Sequence, residues 1–422
     1  MNEKAISAWV VPDSILCAAA LILLIIHREG NLEAIISVAV LAANAATVLK
    51  ARHNWLLLII SVILLYCNYS ICAANYLFTP LESYFTGYAE TEIGSSGLCI
   101  LLFFSVCLML IMPVTPKIKT QVASLLVNNR YCFTAVVGIA AVLVLVWTYG
   151  FRRPEIAGER GSPSAIYEYS IVLIIVALYF SGKNRILQAA IVAIAVCYAL
   201  QNFVYGGRIT GIQIAIVLVV GLFIDRLSMA FTVPAGAVFF VLMTSIGMAR
   251  SNASDSAAGF SAVVHSLISK RFALDTAYSA YFTSMTFLDE LTASTVHQRI
   301  GLFLRWILSL FLGGSVQDSN LPLYTRQHFL HYGGGVLPYY AWYYLGVIGI
   351  FLLVLLLRFW FKLISKNSGD SSGLVRCLSV YICSTALRWY LYSPSQLTRG
   401  AMLLCLVYGF ARLIDSLGRV KV

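Results

Sequence analysis

The stretch Arg326-Gln-His328-Phe-Leu-His331-Tyr-Gly333-Gly-Gly335-Val-Leu-Pro338 brings one guanidinium, two imidazoles and a triglycine together just before a new hydrophobic segment begins. A neutral imidazole, with an ordinary pKa of about 6.5, can take a proton from a sugar hydroxyl at neutral pH. His331 and His328 are therefore candidate catalytic bases, and a purely structural histidine is the competing explanation. His27, His53, His265 and His297 lack the neighbouring cation and glycine hinge. The pair is spaced His-x-x-His without a supporting Glu or Cys, which does not match the i, i+4 pair of a helical zinc site. The expected chemistry uses no metal and no other cofactor.

Arginine is the second chemical signal. Arg208 follows Gly206-Gly207, Arg160 precedes Gly161, Arg399 precedes Gly400, and the triglycine precedes Pro338. Each lies where a hydrophobic segment starts, and helix starts carry unpaired N–H groups and a positive dipole that favour anions. Together these ends predict a pyrophosphate pocket. Glycine at a helix boundary is also ordinary turn chemistry, and the alternating charges from Gly150 to Pro163 also fit a solvated turn whose ions pair with one another.

The elements that must hold these residues are membrane helices. Of the chain's residues, 60% are hydrophobic and 11% charged, outside the range of soluble domains. Segments of roughly 17 to 25 apolar residues are needed to cross a bilayer. About twelve candidates, several at the short end, can be read from Trp9 to Leu413. The first, Trp9 to Ile26, reads as a signal anchor because no persuasive cleavage site follows it. The fold class expected is all-α and polytopic, in three stretches: helices 1–9 over residues 1–248, a long and partly helical outer loop over 249–336, and helices 10–12 over 337–422. Within the loop, Phe260 to Leu274 and Tyr278 to Leu291 have amphipathic spacing. Ile300 to Leu312 is nearly continuous hydrophobe broken by Arg305, too short to cross, and reads as interfacial or re-entrant.

Lys50, Lys117, Lys119, Lys183, Lys362 and Lys366 fall on one set of connections, which the positive-inside rule makes cytoplasmic together with both termini. The opposite set takes the acidic 79–96 loop and the long loop, and its cations are arginines apart from Lys270. A planar guanidinium makes forked contacts to phosphate and carboxylate that an ammonium cannot. The net charge of +11 is scattered between hydrophobic spans, so nucleic-acid binding is not supported. The ten cysteines lie in or beside apolar stretches and suggest no disulfide framework.

The many spans, the shorter charged outer loop, the Gly206-Gly207-Arg208 turn and the late loop ending in His331-Tyr-Gly333-Gly-Gly335 before Leu337-Pro338-Tyr-Tyr-Ala-Trp-Tyr-Tyr-Leu-Gly346 resemble the O-antigen polymerases of Wzy type. These are polytopic inner-membrane glycosyltransferases of bacterial surface-polysaccharide assembly. The resemblance implies transfer of a growing glycan from undecaprenyl pyrophosphate to the nonreducing-end hydroxyl of a lipid-linked repeat unit, at a periplasmic active site. For that implied reaction Arg208 is expected to stabilise developing charge, with Arg160, Arg399 and Arg152 or Arg153 assisting. The same resemblance implies sugar contacts, for which Arg326, Asp318 and Tyr339 are the candidates. It also implies a chain-length-regulating co-polymerase as partner. An O-antigen ligase needs the same arginine pocket and base and is the nearest alternative. A lipid-linked oligosaccharide flippase or other transporter would favour matching repeats and charged residues at mid-span, and the sequence displays neither. Membrane O-acyltransferases, which use a buried histidine, are a weaker option.

Overall fold

The structure, a computed structural model, describes residues 32–78, 87–88, 91–114, 125–127, 131–154, 161–205, 207–224, 227–228, 232, 236, 260–331, 333–366 and 372–420. Its helices are, in chain order, α1 (Leu32–Ala51), α2 (Trp55–Asn75), α3 (Glu92–Ile111), α4 (Phe133–Tyr149), α5 (Ala165–Glu168), α6 (Ser170–Ser181), α7 (Arg185–Val204) and α8 (Arg208–Phe223). They continue as α9 (Phe260–Ser269), α10 (Asp275–Ala293), α11 (Val296–Leu312), α12 (Leu321–Thr325), α13 (Leu337–Ser365), α14 (Gly373–Ser384), α15 (Ala386–Leu391) and α16 (Ser395–Val420). Two-residue strands β1 (Phe151–Arg152) and β2 (Ser162–Pro163) pair antiparallel between α4 and α5.

Small polar residues set the helix starts by accepting from otherwise unpaired N–H groups. Asn54 caps α2, Thr91 caps α3 and Asn184 caps α7. α11 begins with a full capping box, Thr295 and Gln298 each bonding the other's backbone.

Among the described residues, six helices are long and apolar enough to cross a membrane: α1, α2, α3, α7, α13 and α16. α4, α6, α8 and α14 are apolar but shorter, at 17 residues or fewer. The expectation of about twelve spans is thus met only in its coarse form, an all-α chain of membrane-spanning character. The expected spans at Trp9 to Ile26 and Phe231 to Met248 lie wholly or almost wholly outside the described residues. Two others are broken: Ala165 to Phe180 into α5 and α6, and Leu374 to Tyr392 into α14 and α15. α13 is interrupted as well, because Gly346 leaves helical geometry at φ 59° and ψ −139°. Its aromatic first part, Leu337 to Leu345, is therefore a separate half-helix ahead of the long apolar part.

The chain divides into two compact units. Unit one joins α1–α3 with α10–α13, α15 and the start of α16; unit two joins α4–α9, α14 and the rest of α16. Residues 270–336 of the long loop are therefore part of unit one, not an appended domain. In unit one α1 packs on α2 and α3, and α10 packs on α2, α3 and α13. The turn leading into α10 is docked on the flank of α2: Tyr66 and Tyr69 donate to the carbonyls of Phe272 and Arg271, and Leu274 N–H donates to Ser70 Oγ at 2.9 Å. α10 buries Tyr278, Tyr281, Met285, Phe287 and Leu288, so it is a core element rather than the surface helix its spacing suggests.

Where lipid replaces water, burying hydrocarbon drives little association, and close packing with polar side-chain bonds matters more. Unit one contains such a chain of bonds. Asn44 donates to Ser105 at 3.0 Å, Asn68 donates to Asn44 at 3.1 Å, and Tyr390 donates to Asn68 at 2.6 Å, linking α1, α2, α3 and α15. Lys50 marks the end of the bundle away from the loop, its Nζ donating to the Met109 carbonyl at 2.9 Å.

Candidate active site

In unit one a polar cleft of about 350 Å³ opens where three stretches meet: the end of α11, the run from Ser319 to Gly334, and Tyr392 to Arg399. Its walls include the guanidinium-bearing Arg326 and Arg399, the rings of Trp306, Tyr340 and Tyr392, and the backbone of Gly313, Gly314, Gly333 and Gly334.

Local sequence explains how the walls form. α11 ends at Gly313, whose φ of 79° side-chain-bearing residues rarely adopt. A Cβ there would lie 2.8 Å from Arg399 Nη2, so the bare backbone lets the guanidinium lie alongside it. Pro322 sits in the first turn of α12, where its missing N–H costs nothing. Gly333 and Gly334 both take positive φ, 89° and 84°. Gly335 N–H then donates to the Leu391 carbonyl at 2.9 Å, and Tyr340 donates to the Tyr392 carbonyl at 2.9 Å. These bonds fasten the triglycine to the wall that carries Arg399.

The two histidines occupy different environments. His331 is 3% exposed and held at both ring nitrogens. Gly333 N–H donates to its Nδ1 at 3.1 Å, so Nδ1 is unprotonated and Nε2 carries the hydrogen, which faces Thr325 Oγ1 at 3.0 Å. Burial, and then the nearby Arg326 charge, hold the ring below its ordinary value of 6.5. His331 is thus a neutral brace for the loop, with no nitrogen left for a substrate. His328 instead has a side chain 50% exposed, with Nδ1 2.9 Å from the carboxylate of Glu290, which is 7% exposed. Its Nε2 has no hydrogen-bond partner among the described residues.

Arg399, expected as a helper at the pyrophosphate, and Arg326, expected as a sugar contact, both line the cleft. Asp318 does not: at φ 54° it turns its carboxylate onto Arg305 Nη1 at 3.0 Å. Tyr339 is corrected from sugar contact to core residue, being fully buried with its hydroxyl donating to the Gly97 carbonyl at 2.8 Å. Its neighbour Tyr340 supplies the ring in the cleft, because consecutive helical residues point about 100° apart.

Arg152, Arg153 and Arg208 belong to unit two. Arg152 lies in β1, and the Arg153 guanidinium stands over the Tyr205 ring at 5.9 Å. Arg208 is the first residue of α8, and its N-cap Gly207 supplies no side-chain bond. Gly207 N–H donates to the Asn202 carbonyl at 2.7 Å. Beneath that turn, Asn202 donates to the buried Tyr167 hydroxyl, which donates to Gln201, both at 2.9 Å. Arg160 and Gly206 lie outside the described residues.

Glu290, Thr325, Trp306, Tyr340, Tyr392 and Gly313 were not legible as site residues in sequence. Glu290 had one signal: it continues the buried stripe of α10 past Thr283 and Phe287, where a carboxylate is costly unless paired. Among the described residues, no three His, Cys, Asp or Glu side chains converge to hold a metal ion.

The fold and cleft define a class: an all-α chain of membrane-spanning character with an arginine- and aromatic-lined polar cleft. No protein family, curated protein or solved structure matches it.

Proposed function

We propose that this chain is a polysaccharide polymerase of the O-antigen type, a metal-independent glycosyltransferase of the bacterial inner membrane. It moves a growing glycan from undecaprenyl pyrophosphate to the nonreducing-end hydroxyl of a lipid-linked repeat unit, with the cleft on the periplasmic side and a chain-length-regulating co-polymerase as partner. The observation that carries this reading is the cleft, in which Arg326 and Arg399 stand among glycine backbone and three aromatic rings. Departure of a pyrophosphate develops negative charge, and fixed guanidinium donors in a partly dry site stabilise it without reorganising. Aromatic faces suit the apolar faces of sugar rings, and exposed glycine backbone lets a ligand approach closely. Arg208, Arg152, Arg153 and Arg160 remain candidates for further anion contacts.

α11 lies beside the cleft and leaves Val296, Ile300, Leu304, Leu308, Phe311 and Leu312 exposed on one helix. That apolar face suits a helix lying at the lipid boundary, where the tail of a lipid-linked donor would be.

The test is elongation of purified undecaprenyl-pyrophosphate-linked repeat units by the purified chain in the presence of a chelator. Arg326→Ala and Arg399→Ala should each lower the elongation rate by about a hundredfold or more, the usual effect of losing one charge-stabilising donor, while the protein stays in the membrane. Unchanged rates in both would sink the cleft as the site. In cells, deleting a polymerase leaves lipopolysaccharide capped by a single repeat, whereas deleting a ligase leaves it uncapped.

A further inference from the structure

We infer that Glu290 is the positioning residue of this enzyme's base, fixing His328 so that its Nε2 accepts the proton of the acceptor sugar hydroxyl. The inference rests on the glycosyltransferase reading above and assigns the base to His328 rather than His331. The geometry separates the two histidines. His331 has both nitrogens bonded within the loop. His328 has one nitrogen on a buried carboxylate and the other without a partner among the described residues. It follows the cleft-lining Arg326 by two residues and is not itself among the residues that line the cleft.

The carboxylate is itself held in place. Glu290 lies in the last turns of α10, a helix buried against α2, α3 and α13. Its Oε1 accepts from Ser294 Oγ at 3.4 Å, and Ser294 in turn meets the buried Tyr343 hydroxyl at 3.2 Å. With Oε2 facing His328 Nδ1 at 2.9 Å, the neutral ring is driven to carry its hydrogen on Nδ1. The lone pair is then on Nε2, directed away from Glu290. Other titratable or charged groups around the pair are Tyr324, whose ring meets His328 edge-on at 5.9 Å, Tyr343 on α13, Arg299 and Arg305 on α11, Asp318, and Arg326. Glu290 is the anion in hydrogen-bond contact with the ring.

The step balances as follows. The acceptor oxygen bonds to the anomeric carbon of the donor, and its proton passes to His328 Nε2. The bond from the anomeric carbon to the phosphate oxygen breaks, and its electron pair leaves with undecaprenyl pyrophosphate. Glu290 stays ionised and stabilises the imidazolium until that proton is released to the pyrophosphate or to water. An oriented base of this kind contributes about 10²- to 10⁴-fold in rate.

The experiment measures kcat and KM of elongation by the full-length chain on lipid-linked repeat units extracted from cells lacking this protein. Glu290→Gln keeps an acceptor for Nδ1–H and removes the charge. It should lower kcat by about ten- to a hundredfold with KM within about twofold, a fraction of the base's full contribution. His328→Ala should lower kcat further, and adding Glu290→Gln to it should change nothing more. If Glu290 only supports the fold, Glu290→Gln lowers the unfolding temperature and adds its loss to that of His328→Ala; that result overturns the assignment. His331→Gln losing more kcat than His328→Ala would also overturn it. Failure of the wild-type chain to elongate at all overturns the glycosyltransferase reading itself.

Discussion

At the scale of single residues, the molecule separates two histidines that the sequence presents as equivalents. They are three positions apart beside one arginine, and only their partners distinguish them. His331 takes its N–H from Gly333 and faces Thr325, so the folded loop needs it neutral. Since burial and Arg326 hold it below its ordinary value of 6.5, the unfolded chain binds a proton that the folded loop refuses. Its contribution to stability is therefore complete above pH 6.5 and falls as pH drops through that value. The hydrogen-exchange protection factors of the segment 325–336, corrected for the intrinsic pH dependence of amide exchange, should fall on acidification through this window, and His331→Gln should remove that fall. His331→Phe leaves the Gly333 N–H without its acceptor and should cost about 1 to 3 kcal/mol, read as a lower unfolding midpoint. Protection factors that are flat with pH in the wild-type protein would refute the neutral-brace assignment.

At the scale of elements, α11 and α10 show how one pattern can serve opposite ends. Both lie in the long loop, and the sequence reads α10 as an amphipathic helix and α11 as a hydrophobic interfacial helix. α11 keeps its apolar face exposed, Leu302 being its buried residue, whereas α10 buries most of its length. Spacing shows that a helix has a face, and it does not show what covers that face. α11 contacts α13 through Phe303 and Trp306 on Tyr344 and depends on its capping box for a defined start. Thr295→Ala should cost about 1 kcal/mol of stability, and Thr295→Ser should cost little. Thermal unfolding in detergent measures this, and an unchanged midpoint for Thr295→Ala would mean that packing alone fixes the start of α11. Replacing both Leu304 and Phe311 by Lys should weaken quenching of Trp306 fluorescence by lipid-borne quenchers, because their exposed side chains form the face assigned to the lipid boundary. Equal quenching would move that face away from lipid.

At the scale of the whole molecule, the Asn44, Asn68, Ser105 and Tyr390 chain ties unit one together across four helices and 322 residues of sequence separation between Asn68 and Tyr390. Asn68→Leu strips partners from both Asn44 and Tyr390 and should destabilise the protein by about 0.6 to 1.7 kcal/mol, the range of polar side-chain bonds between membrane helices. A double-mutant cycle with Tyr390→Phe checks this, since strict additivity would mean that the two side chains are not coupled. The sequence by itself determined the helical class, the apolar segments and the cationic, glycine-rich run from Arg326 to Pro338, because composition, hydropathy and glycine are properties of each residue or its near neighbours. The tertiary structure alone decided that Arg399 lies alongside Gly313, that Tyr340 rather than Tyr339 faces the cleft, and that Glu290 holds His328. It also broke segments that hydropathy reads as continuous, at Gly346 and Thr385. Each of these follows from contacts or backbone geometry set by packing between distant stretches, and no local pattern encodes which distant residue will be the partner.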